Sequence, residues 1–264
     1  RRDFTINAMA YNDNQGLIDC FGGLDDIQNH LIRCVGNPEE RFSEDALRIM
    51  RAVRFSAQLG YDIEEETKNA ICKLAGTLSN ISAERIQTEL VKLLVSPNPG
   101  KVRQLYEYGI TKVILPEFDA MMNTPQNTPY HIYNVGDHTI CSLENIEADK
   151  VLRLTMLLHD CAKPLTRSTD EEGRDHFKYH AKEGSELAKT ILRRLRFDND
   201  TIKQVTTLIL YHQFKVELTE IKVRMGMHKV GEDLYPKLIL VKRADNLSKA
   251  PETVAKSLQL LEEF

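Results

Sequence analysis

The chain has 264 residues, 42 % of them hydrophobic and 28 % charged, which is ordinary globular usage and excludes a wholly disordered chain. Its length suits one large or two small domains. A net charge of −4, from 35 basic and 39 acidic side chains, excludes a uniformly cationic nucleic-acid binder but not a local basic stripe.

No run approaches ~18 uninterrupted apolar residues, so no membrane partner is expected. No charged-then-apolar export signal is read at the start. The 5 cysteines (Cys20, Cys34, Cys72, Cys141, Cys161) form no Cys-x-x-Cys pair, and they read as reduced thiols of a cytoplasmic protein. Residue 1 is Arg inside a structured-looking run, so a piece of a longer protein is expected.

Strand signals are confined to residues 1–36. Phe4 to Tyr11 and Gly16 to Cys20 flank the polar turn Asn12-Asp13-Asn14-Gln15, a hairpin pattern, and Leu31 to Val35 reads as a third strand. A short helix is expected from Leu24. Strands this few form no independent domain, so this sheet is expected to show an open edge and an apolar face without cover.

From Asn37 the pattern turns helical. Asn37, Pro38 and Glu40 make a cap, a first-turn proline and a capping-box acid. A helix is expected through Glu44 to Leu59, closed by Gly60, with others over Glu64–Leu74, Ala83–Val95 and Lys101–Tyr108. Ile86, Leu90, Leu93 and Leu94 repeat at helical spacing behind a Ser82 cap.

Met121 to Tyr130 is rich in Asn, Thr and Pro and reads as a linker. Helices are expected beyond it over His138–Ile146, Val151–His159, His180–Leu195, Asp200–His212, Tyr235–Asn246 and Pro251–Phe264. The expected division is therefore 1–36, 37–120 and 121–264, with a mostly α fold.

Two constellations carry chemistry. Asp45, Arg48, Arg51 and Arg54 recur every three residues along one drifting helix side. As a solvated face they are worth little. As a binding face, the Asp45 acceptor and the Arg48 donor fork can bond the edge of a nucleobase, and Arg51 and Arg54 suit a triphosphate or an RNA backbone.

The second set is His138, His159-Asp160, His180, His212 and Asp245, with Lys163 close behind the His-Asp pair. Imidazole nitrogen and carboxylate oxygen suit Mn²⁺, Fe²⁺, Ni²⁺ or Zn²⁺. His30 and His228 show no partner pattern, His131 in the linker is at most a neighbour of the set, and His176, four residues before His180, either touches phosphate or does nothing; all four are assigned a structural role. Lys182, Lys189, Arg193, Arg194 and Arg196 form a basic run that is either a solvated face or an RNA contact.

Arg1-Arg2-Asp3-Phe4-Thr5-Ile6-Asn7-Ala8, Asp19-Cys20-Phe21-Gly22-Gly23, Glu44-Asp45-x-x-Arg48 and Ser82-Ala83-Glu84-Arg85-Ile86-x-x-Glu89 stand in order. They resemble four motifs of class II tRNA nucleotidyltransferases, the CCA-adding enzymes related to bacterial poly(A) polymerases. The resemblance implies the tail of an α/β palm sheet, a helical neck, and addition of CCA (or part of it) to tRNA from CTP and ATP.

It implies Arg2 and Asp3 at the ribose, Asp19 and Gly22 at the sheet–neck junction, and Asp45 and Arg48 as a protein template. Arg51 and Arg54 would hold the triphosphate, braced by Glu84, Arg85 and Glu89. The family's transfer step is in-line attack by the tRNA 3′ hydroxyl on the α-phosphate, assisted by two Mg²⁺ ions. Their Asp-x-Asp ligands precede the first motif in the family and do not occur in this chain, so the chain alone is expected to be inert in transfer.

The histidine–aspartate order resembles the HD phosphohydrolase superfamily, an all-α domain. That resemblance implies metal ligands His138, His159, Asp160 and Asp245, a second metal on His180 and His212, Asp160 as bridge and Lys163 on phosphate. The alternatives to a transferase are accordingly a metal-dependent phosphatase or 2′,3′-cyclic phosphodiesterase, and a non-enzymatic tRNA-binding module with a structural metal.

Overall fold

The computed structural model describes residues 2–128, 132–217 and 219–250, together with Ala255, Leu258, Gln259, Leu261 and Glu262. Arg1, His131 and most of the helix expected over 251–264 lie outside the described residues. The chain divides into two units, Arg1–Pro116 and Glu117–Phe264. The division falls before the linker-like stretch, because the helix Pro116–Met122 runs into it.

The first unit begins with less strand than its sequence suggests. Phe4 makes a single antiparallel bridge to Cys34, and Thr5–Asn7 then tightens into a 3₁₀ turn. Local side chains account for this: the Thr5 hydroxyl donates to Asp26 Oδ2 at 2.6 Å, and Asn7 Oδ1 accepts the Phe4 N–H.

β1 (Ala10–Asn12) and β2 (Gly16–Ile18) form the expected hairpin. It leaves Tyr11 and Leu17 exposed, as are Phe21 and Leu24 just beyond it. Asp19 accepts backbone N–H groups of Phe21, Gly23 and Leu24 and so caps α1 (Gly23–Gln28). Only glycine fits at 23, because a Cβ there would lie 2.3 Å from the Thr5 carbonyl oxygen. β3 (Leu31–Ile32) pairs in parallel with a strand absent from the sequence expectations, β4 (Asp62–Ile63).

Between these strands lie α2 (Pro38–Glu44) and α3 (Leu47–Leu59), followed by α4 (Glu65–Leu74) and α5 (Ala83–Leu94). Asn37 caps α2 by accepting from Glu39 and Glu40, and Gly60 closes α3 at φ +73°. α3 packs on α5 and α2 on α4. Ile49, Val53, Leu90 and Leu93 are 1 % exposed or less at the heart of this layer. Ser82 occupies the N-cap position of α5 but makes no side-chain capping bond. The short α6 (Val102–Glu107) and α7 (Thr111–Ile114) complete the unit.

The second unit is helical apart from one small hairpin. It comprises α8 (Pro116–Met122), α9 (Val135–Glu144), α10 (Lys150–Leu158), α11 (Lys163–Thr166), α12 (His180–Arg194), α13 (Asn199–Tyr211), α14 (Glu220–Val230) and α15 (Tyr235–Leu247). α14 is not among the helices expected from sequence.

α12 packs on α13, α13 on α10, and α10 on α9 and α15. Leu152, Leu154, Met156, Ile191, Leu192, Val205 and Leu208 fill the interior. The hairpin joins β5 (Arg167–Thr169) to β6 (Asp175–Phe177). Buried Asp175 holds it, accepting from Arg167 Nε at 2.9 Å, Thr169 Oγ1 at 2.8 Å and the Asn127 N–H at 2.9 Å. No helix among the described residues is long and apolar enough to cross a membrane.

Candidate functional sites

In the first unit the expected helix through Glu44 to Leu59 is broken at Asp45, which is extended (φ −152°, ψ 102°). Its Oδ1 accepts the Leu47 N–H at 3.1 Å, so the carboxylate takes up a donor that α3 would otherwise leave orphaned. Asp45 is therefore not on the same helical line as the three arginines, which corrects the expectation drawn from spacing.

Its Oδ2 accepts from Arg85 Nη2 at 2.8 Å. Partial burial opposes ionisation, but the Arg85 bond, the Leu47 N–H and nearby Arg48 together hold Asp45 below the usual carboxylate range. The Arg48 N–H donates to the Asp45 carbonyl at 3.1 Å, but no ion pair joins the Asp45 carboxylate to the Arg48 guanidinium within 4.0 Å among the described residues.

Arg48 is gripped from two sides. Nε donates to Asp3 Oδ1 at 3.0 Å, and Nη1 donates to Glu44 Oε2 at 2.8 Å and to the Arg41 carbonyl at 2.6 Å. Its Nη2 has no hydrogen-bond partner among the described residues. Asp3 Oδ2 also holds Arg51 Nη2 at 2.8 Å, so one buried carboxylate fixes both guanidinium groups. Arg2 is exposed, and its carbonyl accepts from Arg41 Nη2.

Arg54 departs from its expected triphosphate role. It is 8 % exposed, with Nε on Glu89 Oε2, Nη1 on Gln58 Oε1, and its guanidinium 3.9 Å over the Phe55 ring. Each three-residue step along a helix turns about 60° short of a full circle, so Arg54 faces about 120° away from Arg48, toward α5. Its charge is committed to bracing. Arg85 and Glu89 thus tie α5 to the Asp45–Arg54 segment from two points. No group of three or more potential metal-ligating side chains occurs in this unit among the described residues.

In the second unit the six expected ligands converge from five segments. Asn134 caps α9, accepting the Asp137 N–H, and sets His138 on its first turn. His159 and His212 follow the last residues of α10 and α13, His180 opens α12, and Asp245 lies on α15. All six are at least nine-tenths buried.

Asp160 joins two ligand groups, His138–His159–Asp160 and Asp160–His180–His212. Its Oδ2 lies 3.2 Å from His159 Nε2 and 3.6 Å from His138 Nε2. Its Oδ1 lies 3.4 Å from His180 Nε2 and 3.9 Å from His212 Nε2. Asp245 Oδ1 is 3.0 Å from His138 Nε2.

The other ring nitrogens fix the tautomers. Nδ1 of His159, His180 and His212 meets the carbonyl three residues earlier (Met156, Phe177, Ile209) at 2.6–2.8 Å, and Nδ1 of His138 meets the Ser248 carbonyl at 3.2 Å. A carbonyl only accepts, so each Nδ1 carries the hydrogen, and a ring that is neutral, or that gives up its second proton to a cation, presents a lone pair at Nε2.

His138 Nε2 then stands 3.4 Å from His159 Nε2, and His180 Nε2 stands 3.3 Å from His212 Nε2. Lone pairs facing each other around a shared carboxylate are a donor set that fits divalent cations of the Mn²⁺, Fe²⁺, Ni²⁺ or Zn²⁺ type.

Burial lowers the pKa of His138 and His180 and takes His212 to about 3, which keeps those rings neutral. His159 is raised, since Asp160's charge and bond outweigh burial. Burial also opposes ionisation of Asp160 and Asp245. His159 and Lys163 beside Asp160, and Lys249 with the His138 contact beside Asp245, nonetheless hold both well below the usual range.

Buried Lys163 lies 2.6 Å from Asp160 Oδ2 and 2.6 Å from Gln126 Oε1. Residue order does not single out Lys249, Gln126, Arg174 or Asp170 as contributors, and it leaves His176 among the structural histidines. Lys249 meets Asp245 Oδ2, and its i,i+4 spacing is the signal that was available. Gln126, Arg174 and the His176–Asp170 pair (2.7 Å) had none, because a linker and a hairpin bring them in. Asp160, Lys163, Arg174, His176, His180 and Lys249 line a cavity of about 380 Å³. In the basic run, Arg194 makes a two-pronged bond to Glu117, while Lys182 and Arg193 lie exposed.

The arrangement is that of a protein with a nucleotidyltransferase-type amino-terminal segment, a helical region and an HD-type ligand set. Family models agree along the chain: "Poly A polymerase head domain" over residues 1–33, "Probable RNA and SrmB- binding site of polymerase A" over 60–122, and "HD domain" over 129–250.

An A-adding tRNA nucleotidyltransferase of Deinococcus radiodurans is 32 % identical over 93 % of this chain and 58 % of its own length. A CCA-adding enzyme of Ligilactobacillus salivarius is 54 % identical over 41 % of this chain and 28 % of its own. The Bacillus stearothermophilus CCA-adding enzyme, solved in complex with CTP, superposes with TM-score 0.66 at 23 % identity. The match covers 99 % of this chain and 57 % of that one, and shows the shared fold.

The chain belongs to the class II tRNA nucleotidyltransferase and poly(A) polymerase family, in a form that carries an HD domain. It spans 58 % of the length of its Deinococcus relative. Both the family and the HD domain imply dependence on divalent metals.

Proposed function

We propose that this chain is the nucleotide-selecting and RNA-binding portion of a cytoplasmic enzyme that adds CCA, or part of it, to tRNA 3′ ends from CTP and ATP. In this reading residues 1–36 are the tail of the palm, 37–120 the neck and 121–264 the HD domain. Asp45 and Arg48 read the base edge, Arg2 and Asp3 face the ribose, and Arg51 meets the triphosphate. Mg²⁺ would act at the head's carboxylates, and no step of transfer is assigned to residues of this chain.

The observation that carries the reading is the double grip on Arg48. With Nε and Nη1 held by Asp3, Glu44 and a carbonyl, its fork has one fixed direction, and Nη2 keeps a hydrogen to donate. Base-edge pairs of this kind discriminate by about 1–3 kcal/mol. In the whole protein, Arg48→Ala should lower ATP/CTP selectivity roughly 10- to 100-fold while tRNA affinity changes little. Competition between the two nucleotides on a defined tRNA measures this, and unchanged selectivity removes the template role.

A second activity is favoured by the convergence of four imidazole Nε2 atoms on Asp160, each within 3.9 Å of its carboxylate. The second unit is read as a metal-dependent phosphohydrolase. Bound cations would supply Lewis acidity toward phosphoryl oxygens. Asp160 would offer one oxygen to each ligand group, and Lys163 would meet substrate phosphate as a point charge. Metal analysis with Mn²⁺- or Ni²⁺-dependent phosphodiester hydrolysis tests it, and Asp160→Ala should abolish both. Tight metal without hydrolysis would instead favour a structural metal in a tRNA-binding module.

A further inference from the structure

Beside the metal-ligand cavity the second unit contains another, also about 380 Å³, that no step above uses. The two share a wall, because His212, Gln213, Asp245 and Lys249 line both. Lys215, Lys242 and Asn246 add the rest of its polar lining.

Three lysines thus line the cavity with only one carboxylate, Asp245, and that carboxylate is already engaged by His138 and Lys249. Lys242 is half-buried. Its Nζ donates to the His212 carbonyl at 2.9 Å, and no carboxylate lies within 4.0 Å of it among the described residues. Lys215 is exposed, its ammonium 3.3 Å from Glu217.

Asp245 in the same lining acts on Lys242 only from beyond contact distance, and a half-buried ammonium with no anion in contact gains when one arrives. Ammonium groups on flexible stems, with amide donors such as Asn246 and Gln213 beside them, suit the oxygens of a phosphate.

We infer that this cavity binds a second phosphate of the molecule whose first phosphate meets the metal ligands. The inference deepens the phosphohydrolase reading and rests on it for the location of the first phosphate. It narrows the substrate class to nucleotide species with two separate phosphate groups, either a nucleic-acid end or a nucleoside bisphosphate.

The experiment is calorimetric binding to the metal-loaded full chain, with inorganic phosphate, adenosine 3′,5′-bisphosphate and a 5′-phosphorylated dinucleotide as probes. Lys242→Gln should weaken at least one two-phosphate probe about tenfold, the loss expected for one charge-assisted bond, and leave inorganic phosphate within about twofold. Lys215→Gln, at an exposed position where folding is not at risk, should give a smaller loss in the same probe.

The probe that responds identifies the source, dinucleotide for a chain end and bisphosphate for a free nucleotide. Equal affinities of all three probes in wild type and variants would overturn the second site. Lys242-dependent binding without any metal-dependent hydrolysis would keep the site and remove the hydrolase.

Discussion

In the first unit Asp3, Glu44, Arg48 and Arg51 meet donor to acceptor at 2.8–3.0 Å, whereas in the second unit four imidazoles turn their Nε2 atoms toward one another around Asp160. The first cluster is complete as protein and keeps only a directed surplus, Arg48 Nη2 and the part-exposed Asp45. The second is incomplete as protein, since its acceptors outnumber its donors. On the proposed reading, the difference separates a surface suited to a ligand's edge from a centre suited to a cation.

The largest expected effect tests that incompleteness. A site filled at a thousandfold its dissociation constant adds about 4 kcal/mol of stability, so stripping two ions removes up to about twice that. A chelator should therefore lower hydrogen-exchange protection steeply in α9, α10, α12 and α13 and leave α3 and α5 nearly unchanged. Equal loss in both units, or none in the second, would erase the contrast.

A smaller effect tests completeness in the first unit. Glu89→Ala leaves the Arg54 guanidinium buried without its carboxylate, a loss of about 3–5 kcal/mol. Urea denaturation of the chain measures it, and Glu89→Gln, which keeps an acceptor, should cost less. A change below about 1 kcal/mol would mean that Arg54 finds water instead, and the bracing role would fall.

Much of this was legible in the chain. Ile86, Leu90, Leu93 and Leu94 are 0–6 % exposed, as their helical spacing requires. Asn37 and Gly60 close their helices by local chemistry alone. The ligand order from His138 to Asp245 was readable because three of the histidines sit at helix ends, where the i−3 carbonyl fixes the ring without help from elsewhere.

What escaped depends on partners far along the chain. Phe4 to Tyr11 looks like a strand, yet Asp26 takes the Thr5 hydroxyl and tightens the backbone. Arg167-Ser168-Thr169 has no strand pattern, but buried Asp175 makes it one. Asp45 breaks a helix that periodicity carries straight through it, because a short carboxylate competes for the Leu47 N–H.

Residue order alone determined the family, the helical character of most of the chain, and the set of histidines and aspartates that the fold brings together, because each is written in local spacing. Tertiary structure alone decided that Arg54 is buried on Glu89 while Arg48 is held by Asp3 and Glu44, and that Lys249 meets Asp245 and Gln126 meets Lys163. It also decided that two cavities share one wall. These depend on direction and burial, and a side chain acquires both only when distant segments close around it.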